Sequence, residues 1–481
     1  MLFNSIDFAI FLPIVFSLYW LLKSIKSQNL LILISSYVFY GWWDYRFLAL
    51  LAISTIIDFS IGKKIGQSTD KKTRKFYLYI SIFTNLGILG FFKYCNFFIE
   101  NFKSAFTFFG SEIDLGYLDI VLPVGISFYT FQTMSYTIDV YRGKLEPSRN
   151  LVSFAAFVSF FPQLVAGPIE RATNLLPQFS VPRKFNYPDA VNGMRQILWG
   201  LFKKMVIADN CAVFVNIIFA DPDAYSASTL VLGAVFFAFQ IYGDFSGYSD
   251  IAIGTARLFG FNLMQNFAFP YFSRDMAEFW RRWHISLSTW FRDYLYIPLG
   301  GSRGTQFQAI RNIFIIFLVS GFWHGANWTF IVWGGLNALF FVPLFIFNQN
   351  RKNLIPIQTR YLMPSVRDAL AICVTFGLTV LAWIFFRSDS VSSAVHYISL
   401  IFSKSLFSVP DIANLSGAII AAGFICILMF VEWTGRTYLY PLEEMRWCKP
   451  RWMRWTIYIM LIAAIGLFMQ TEETPFIYFQ F

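Results

Sequence analysis

Charge is scarce in this chain of 481 residues. Asp, Glu, Lys and Arg make up 14% of it, where a soluble domain carries about 25%. Hydrophobic residues reach 57% and the mean hydropathy is +0.54. That balance excludes an ordinary soluble globular protein and implies an integral membrane protein. Cysteine is scarce too. The five cysteines (Cys95, Cys211, Cys373, Cys426 and Cys448) have no paired spacing, so neither a disulfide framework nor a zinc site is supported, and no metal site is expected. Cys373 and Cys426 sit in apolar runs and read as lipid-facing or core residues. There is no Walker loop, no GxSxG elbow and no HExxH, and neither an internal repeat nor a low-complexity tract. The net charge of +10 comes without a basic stripe or a nucleic-acid motif. It reads as the Lys/Arg excess of cytoplasmic loops, with membrane lipid rather than nucleic acid as the partner.

What is abundant is aromatic: 20% of the chain, including 59 Phe, which suits packing in lipid with Trp and Tyr at the interfaces. A membrane-crossing helix needs about 20 mostly apolar residues. Candidate segments run 8–22, 29–43, 46–62, 76–99, 118–138, 150–165, 196–219, 228–243, 310–326, 328–347, 368–386, 413–432 and 455–470. With no basic leader and no small-residue cleavage site, Phe8–Leu22 is expected to be a retained first helix. Lys23 and Lys26, then Lys63 to Lys75, then Arg142, Lys144 and Arg149 mark alternate loops as cytoplasmic, which places the N-terminus outside through five crossings. The expected fold is all-α: a polytopic membrane protein of roughly 10–13 transmembrane helices, with re-entrant or interfacial helices around a central tunnel. It reads as a single domain over 1–481, with a functional core at about 118–347 and C-terminal helices over 366–481.

After residue 165 the alternation breaks down. Residues 166–195 are rich in Pro, Asn and charge, and 244–308 interleave Asp244, Asp250, Arg257, Arg274, Asp275, Glu278, Arg281, Arg282, Arg292, Asp293 and Arg303 with aromatic residues. Non-spanning backbone at membrane depth must be buried in protein or line a wet cavity. Residues 262–308 are therefore expected to form interfacial or re-entrant helices around a cavity. A cytoplasmic loop carrying amphipathic helices is the alternative.

Two of the three histidines each follow a tryptophan. His284 lies in Phe279-Trp280-Arg281-Arg282-Trp283-His284-Ile285-Ser286 and His324 in Ser320-Gly321-Phe322-Trp323-His324-Gly325-Ala326-Asn327. An ionisable side chain at membrane depth is costly and usually functional, and histidine moves protons near neutral pH. Over Met276–Trp290 a helical spacing puts Trp280, His284 and Leu287 on one face; taken alone, His284 there also suits a satisfied interfacial residue. His324 is the sharper candidate, because its helix is almost uncharged and Gly321 and Gly325 leave room beside it for backbone or substrate. A small-residue helix contact does not account for the imidazole. His396 reads as interfacial.

The run Gln240–Asp250 joins Asp244, Ser246 and Tyr248 to two glycines. Either these groups line a polar passage, or Asp and Gly end one helix and cap the next. Val121–Tyr129 is a proline-interrupted helix carrying Ser127 and Tyr129, with Gln132 beyond; a packing kink is its simplest reading. The chemistry these residues suit is acyl transfer from a thioester to a hydroxyl. One base suffices for it, worth about 10²–10⁴ in rate, in a site that excludes water.

At these residues the chain resembles the membrane-bound O-acyltransferases (MBOAT), in the bacterial branch of alginate O-acetyltransferase membrane subunits. The resemblance runs through Met1–Ser5, Leu122–Phe128, Gly167–Arg171, Asp244–Asp250, Phe279–Ser286, Asp293–Gly301, Trp323–Ala326 and Phe476–Phe481. Phe322, where Leu is common, is a conservative departure. The resemblance implies a catalytic histidine buried in a passage across the membrane, at His324, and a second histidine lining it, at His284. Asp244, Ser246, Tyr248, Trp323, Asn327, Tyr129 and Gln132 are the expected lining. It implies a multi-pass protein of the bacterial cytoplasmic (inner) membrane that O-acetylates an extracytoplasmic polysaccharide. No tightly bound cofactor is expected, and the expected donor is acetyl-CoA or another acetyl thioester. The expected partner is an extracytoplasmic SGNH-type acetyltransferase or a polysaccharide biosynthesis complex. Two alternatives stand: a teichoic acid-type D-alanyl transferase fed by a carrier protein, and a transporter or scaffold presenting an acyl donor. Against the latter, transporters commonly show inverted repeats, and none is evident.

Overall fold

A computed structural model describes residues 1–110, 116–165, 167–357, 363–445, 450–470 and 476–479. Cys448, Gln480 and Phe481 lie outside these residues. The described elements are helices, with no strand among them. Seven are long and apolar enough to cross a membrane: Lys71–Phe108, Ala227–Leu258, Gln306–His324, Trp328–Ile346, Val366–Arg387, Leu415–Gly435 and Arg451–Phe468. Ile6–Leu21, Leu151–Leu164 and Val391–Ile401 are shorter apolar helices. The chain is a polytopic helical membrane protein, as its composition requires.

Two compact units divide it: Met1–Ala190 with Thr255–Leu263, and Val191–Gly254 with Met264–Phe481. In the first, helix starts are set by caps. Ser5, Ser24 and Asp70 accept hydrogen bonds from backbone N–H groups that have no intrahelical partner. Three helices, Phe47–Gln67, Lys71–Leu89 and Ile126–Tyr141, share a buried polar network. Asp58 accepts from Ser81 Oγ at 2.6 Å and Asn85 Nδ2 at 2.8 Å, and Thr133 Oγ1 donates to Asn85 Oδ1 at 3.1 Å. Such bonds join helices where apolar contact alone does not discriminate protein from lipid. The expected segment 118–138 becomes helical only at Ile126. Before it, Gly125 adopts φ 74°, and a Cβ there would lie 2.5 Å from Leu164 O.

In the second unit, two expectations are corrected. The run 196–219 is not one regular helix: helix Tyr187–Leu201 passes through a π-helical stretch, Phe202–Ala208, into Asp209–Ala220. That stretch buries Lys203 and Lys204 in succession. The run 228–243 does not end near Asp244 but continues as a 32-residue helix, Ala227–Leu258. The glycines inside it are contact points rather than terminators. A Cβ on Gly243, Gly247 or Gly254 would stand 2.9, 2.8 or 2.5 Å from the carbonyl oxygens of Lys203, Gly200 and Gly193. Glycine lets the two backbones touch.

Candidate active site

The segment expected to carry His284 on one continuous helix is broken at that residue. Helix Met276–Arg282 stops, His284 takes the left-handed conformation (φ 44°, ψ 53°), and a second helix, Ile285–Phe291, begins. Neither seven-residue piece is long enough to span a bilayer. The break is held by the irregular chain before it: Ile285 N donates to Asn266 O at 2.9 Å and Ala268 N to Arg282 O at 3.0 Å. A non-glycine residue in this region carries a strain of about 1–3 kcal/mol and persists only where its surroundings fix it. Trp280, expected to share a face with His284, packs instead on Phe317 and Trp333.

His284 is fully buried. Its Nδ1 lies 3.1 Å from Asn266 Oδ1, and its Nε2 has no hydrogen-bond partner among the described residues. Burial, and then the neighbouring His324, push its pKa well below the ordinary histidine value, so the ring is neutral at physiological pH. His324 ends helix Gln306–His324, with Nδ1 2.6 Å from Ser320 O. A carbonyl only accepts, so Nδ1 carries a hydrogen, and in the neutral ring the lone pair is then at Nε2. The two imidazoles stand 6.3 Å apart, nearly perpendicular. Trp323, Trp333, Phe386 and Tyr478 wall His324 at 5.0, 5.0, 5.6 and 5.7 Å between ring centroids. The two imidazoles are thus buried among aromatic side chains.

The glycines beside His324 do not leave space for substrate. A Cβ on Gly321 would lie 2.2 Å from Phe330 O, and one on Gly325 2.1 Å from the Phe330 ring; both let the following helix, Trp328–Ile346, fold back closely. Asn327 caps that helix, accepting from Thr329 N and donating to Asp389 O at 2.9 Å. Asp244 is engaged as well. Lys204 Nζ lies 2.9 Å from it and 2.8 Å from Asp209, and Asp244 Oδ2 accepts from Ile477 N at 2.6 Å. Asp244 thereby fastens the C-terminal segment whose Tyr478 faces His324. Tyr248 is buried against Phe476. Ser246 lines a small polar chamber with Lys203, Tyr242, Asp250, Asn266 and Glu432. There Lys203 pairs with Asp250 at 2.5 Å, and Tyr242 donates to Glu432 at 2.9 Å. Tyr129 and Gln132 belong to the first unit, where Gln132 Nε2 donates to Phe157 O at 2.8 Å. His396 is exposed and paired with Asp223.

A cavity of about 1090 Å³ adjoins the site. Trp280, Ile285, Phe317 and Phe341 line it together with Ser320, whose carbonyl holds His324, and with Arg281, Arg292 and Arg351. Arg281 is turned onto backbone, donating to Asn350 O and Asn353 O at 2.9 Å each. Several residues of the 262–308 segment thus border a cavity. Asn266, Ser286 and Tyr478 were not among the expected site residues. A lone Asn among phenylalanines, 18 positions before His284, carries no local signal, and Tyr478 figured only within the Phe476–Phe481 stretch that carries the resemblance.

The fold is that of a polytopic helical membrane protein, and it brings two buried imidazoles together among aromatic side chains. Residues 146–385 match the family model of MBOAT, the membrane-bound O-acyltransferase family, and the chain belongs to that family. It is an O-acyltransferase. The chain is 40% identical over 421 residues to the "Probable alginate O-acetylase AlgI" of Pseudomonas aeruginosa, covering 87% of this chain and 78% of that one. It is 32% identical to the "Peptidoglycan O-acetyltransferase" of Helicobacter pylori, across 100% and 98% of the two. The "Teichoic acid D-alanyltransferase" of Streptococcus thermophilus is more distant, at 29% over 55% of this chain and 68% of its own.

Proposed function

We propose that this protein transfers acetyl groups from a cytoplasmic thioester to hydroxyls of an extracytoplasmic polysaccharide, from the cytoplasmic membrane of a bacterium. The observation that carries the reading is the pair of buried imidazoles, one of them holding its Nδ1 on the Ser320 carbonyl, beside a large cavity that their neighbours Ile285 and Ser320 line. His324 Nε2 takes the proton of the acceptor hydroxyl as its oxygen attacks the thioester carbonyl. The C–S bond then breaks, and the proton passes to the departing thiolate. No covalent enzyme intermediate is required. His284 orients donor or acceptor across the chamber, and the aromatic walls keep out the water that would hydrolyse the donor.

The donor reading rests on the cavity, which joins apolar side chains to Arg281, Arg292 and Arg351; Arg281 is held on backbone carbonyls and Arg292 on Asp293, so Arg351 is the guanidinium that best suits a phosphate of acetyl-CoA. A phosphopantetheine arm on a carrier protein has the same chemistry, and the likeness to a teichoic acid D-alanyltransferase keeps that donor as the second reading. The polysaccharide is inferred from the alginate and peptidoglycan named for the relatives, and an extracytoplasmic SGNH-type acetyltransferase is the partner that would complete such a system. Membership of an acyltransferase family leaves no reason to retain the transporter or scaffold reading. The test is polysaccharide O-acetyl content in cells carrying wild type, His324→Ala or His284→Ala at matched membrane abundance. Acetylation is expected to be abolished by His324→Ala and strongly reduced by His284→Ala; normal acetylation in both would place the chemistry in another protein.

A further inference from the structure

We infer that Asn266 is the positioning residue that sets the tautomer of His284, holding its Nδ1–H so that the Nε2 lone pair is presented to the chamber. The inference rests on the acyl-transfer reading only for its consequence in rate. The hydrogen bonds themselves decide the tautomer. Ser286 N, which can only donate, lies 3.3 Å from Asn266 Oδ1, and Ser286 Oγ donates to the same atom at 2.9 Å. The other side of the amide, Nδ2, donates to Ser249 Oγ at 3.2 Å. The atom facing His284 is therefore the amide oxygen. His284 Nδ1, 3.1 Å away, must donate to it, which leaves Nε2 unprotonated in the neutral ring.

Asn266 is fully buried, so bulk solvent does not compete for these bonds. Its main chain also receives Ile285 N, directly after the left-handed His284. One residue thus fixes both the backbone and the ring of the histidine. The chemistry of the side chain matters as well. A neutral amide selects the tautomer without stabilising the imidazolium, whereas a carboxylate in its place would favour the charged ring. His284 faces His324 directly, and Tyr478 lies beyond Phe245; these are the titratable groups whose state bears on it.

The chain has three histidines, so ¹⁵N-histidine labelling of the full-length protein in bilayers resolves each ring, with His284 assigned by its loss in His284→Asn. Wild type is expected to show Nδ1 protonated and Nε2 unprotonated at neutral pH. Asn266→Ala is expected to move His284 to the Nε2–H form or a mixture. Its kcat should fall by roughly 10²-fold or more, as when a catalytic histidine loses the group that orients it, with KM little changed. Asn266→Asp should keep Nδ1–H but charge the ring at higher pH, raising the acid limb of the pH–rate profile by about one unit or more. An Nε2–H tautomer in wild type, or an unaltered tautomer in Asn266→Ala, would overturn the inference. Should Asn266→Ala fail to accumulate, an unshifted His284 titration in Asn266→Asp overturns it equally. Full activity in His284→Asn would instead contradict the catalytic use of His284, and the tautomer result would stand apart from it.

Discussion

His284 occupies a backbone conformation that few side chains accept, and this separates its structural from its chemical role. Asn tolerates the left-handed region better than most residues. His284→Asn should therefore accumulate and melt like wild type while its acetyl transfer falls by about 10²-fold or more; detergent melting curves and initial rates check the two halves separately. The same burial sets a pH dependence. Because the folded pKa lies below the ordinary 6.5, His284 stays neutral as pH falls through that value. The stability it contributes is present above 6.5 and is lost as pH falls from there toward the folded pKa. The acid limb of the pH–rate profile assigned to His284 is thus expected below pH 6.5, and an acid limb above it would contradict the burial argument. The burial of His324 was legible in the sequence because its imidazole lies in an apolar run. The break at His284 was not, because Trp280, His284 and Leu287 mimic a helical face. Hydrogen bonds from Asn266, distant in sequence, override that local pattern.

Among the elements, the long helix Ala227–Leu258 was misread near Asp244 for a related reason. Asp and Gly usually mark helix ends, and nothing local shows that an opposing backbone fills the space over each glycine. Gly254→Ala sets a methyl 2.5 Å from Gly193 O. It should cost about 1–3 kcal/mol through overpacking, read as a lowered melting temperature, whereas Gly423→Ala, where no atom lies within 4 Å, should not. The C-terminal segment is a second element whose role emerges only in three dimensions. Deleting residues 476–481 removes Ile477 N from Asp244 and Tyr478 from the wall of the His324 chamber. Acetylation should be lost at near-normal membrane abundance, as O-acetyl content beside an immunoblot would show; retained acetylation would mean that this wall is dispensable.

For the whole molecule, composition sufficed to establish a polytopic helical membrane protein, since 14% charge and recurring apolar runs leave few other solutions. The boundaries of single helices were less legible, because π-helical stretches and glycine contacts respond to tertiary packing rather than to hydropathy. The central claim is that this chain itself moves an acetyl group from a thioester to a hydroxyl through His324. The direct measurement reconstitutes the purified protein in liposomes with radiolabelled acetyl-CoA on one side and a soluble oligosaccharide on the other. Label should appear on the oligosaccharide with wild type and not with His324→Ala. Equal labelling by both proteins would contradict the account; labelling by wild type only once an acylated carrier protein replaces acetyl-CoA would select the second donor instead.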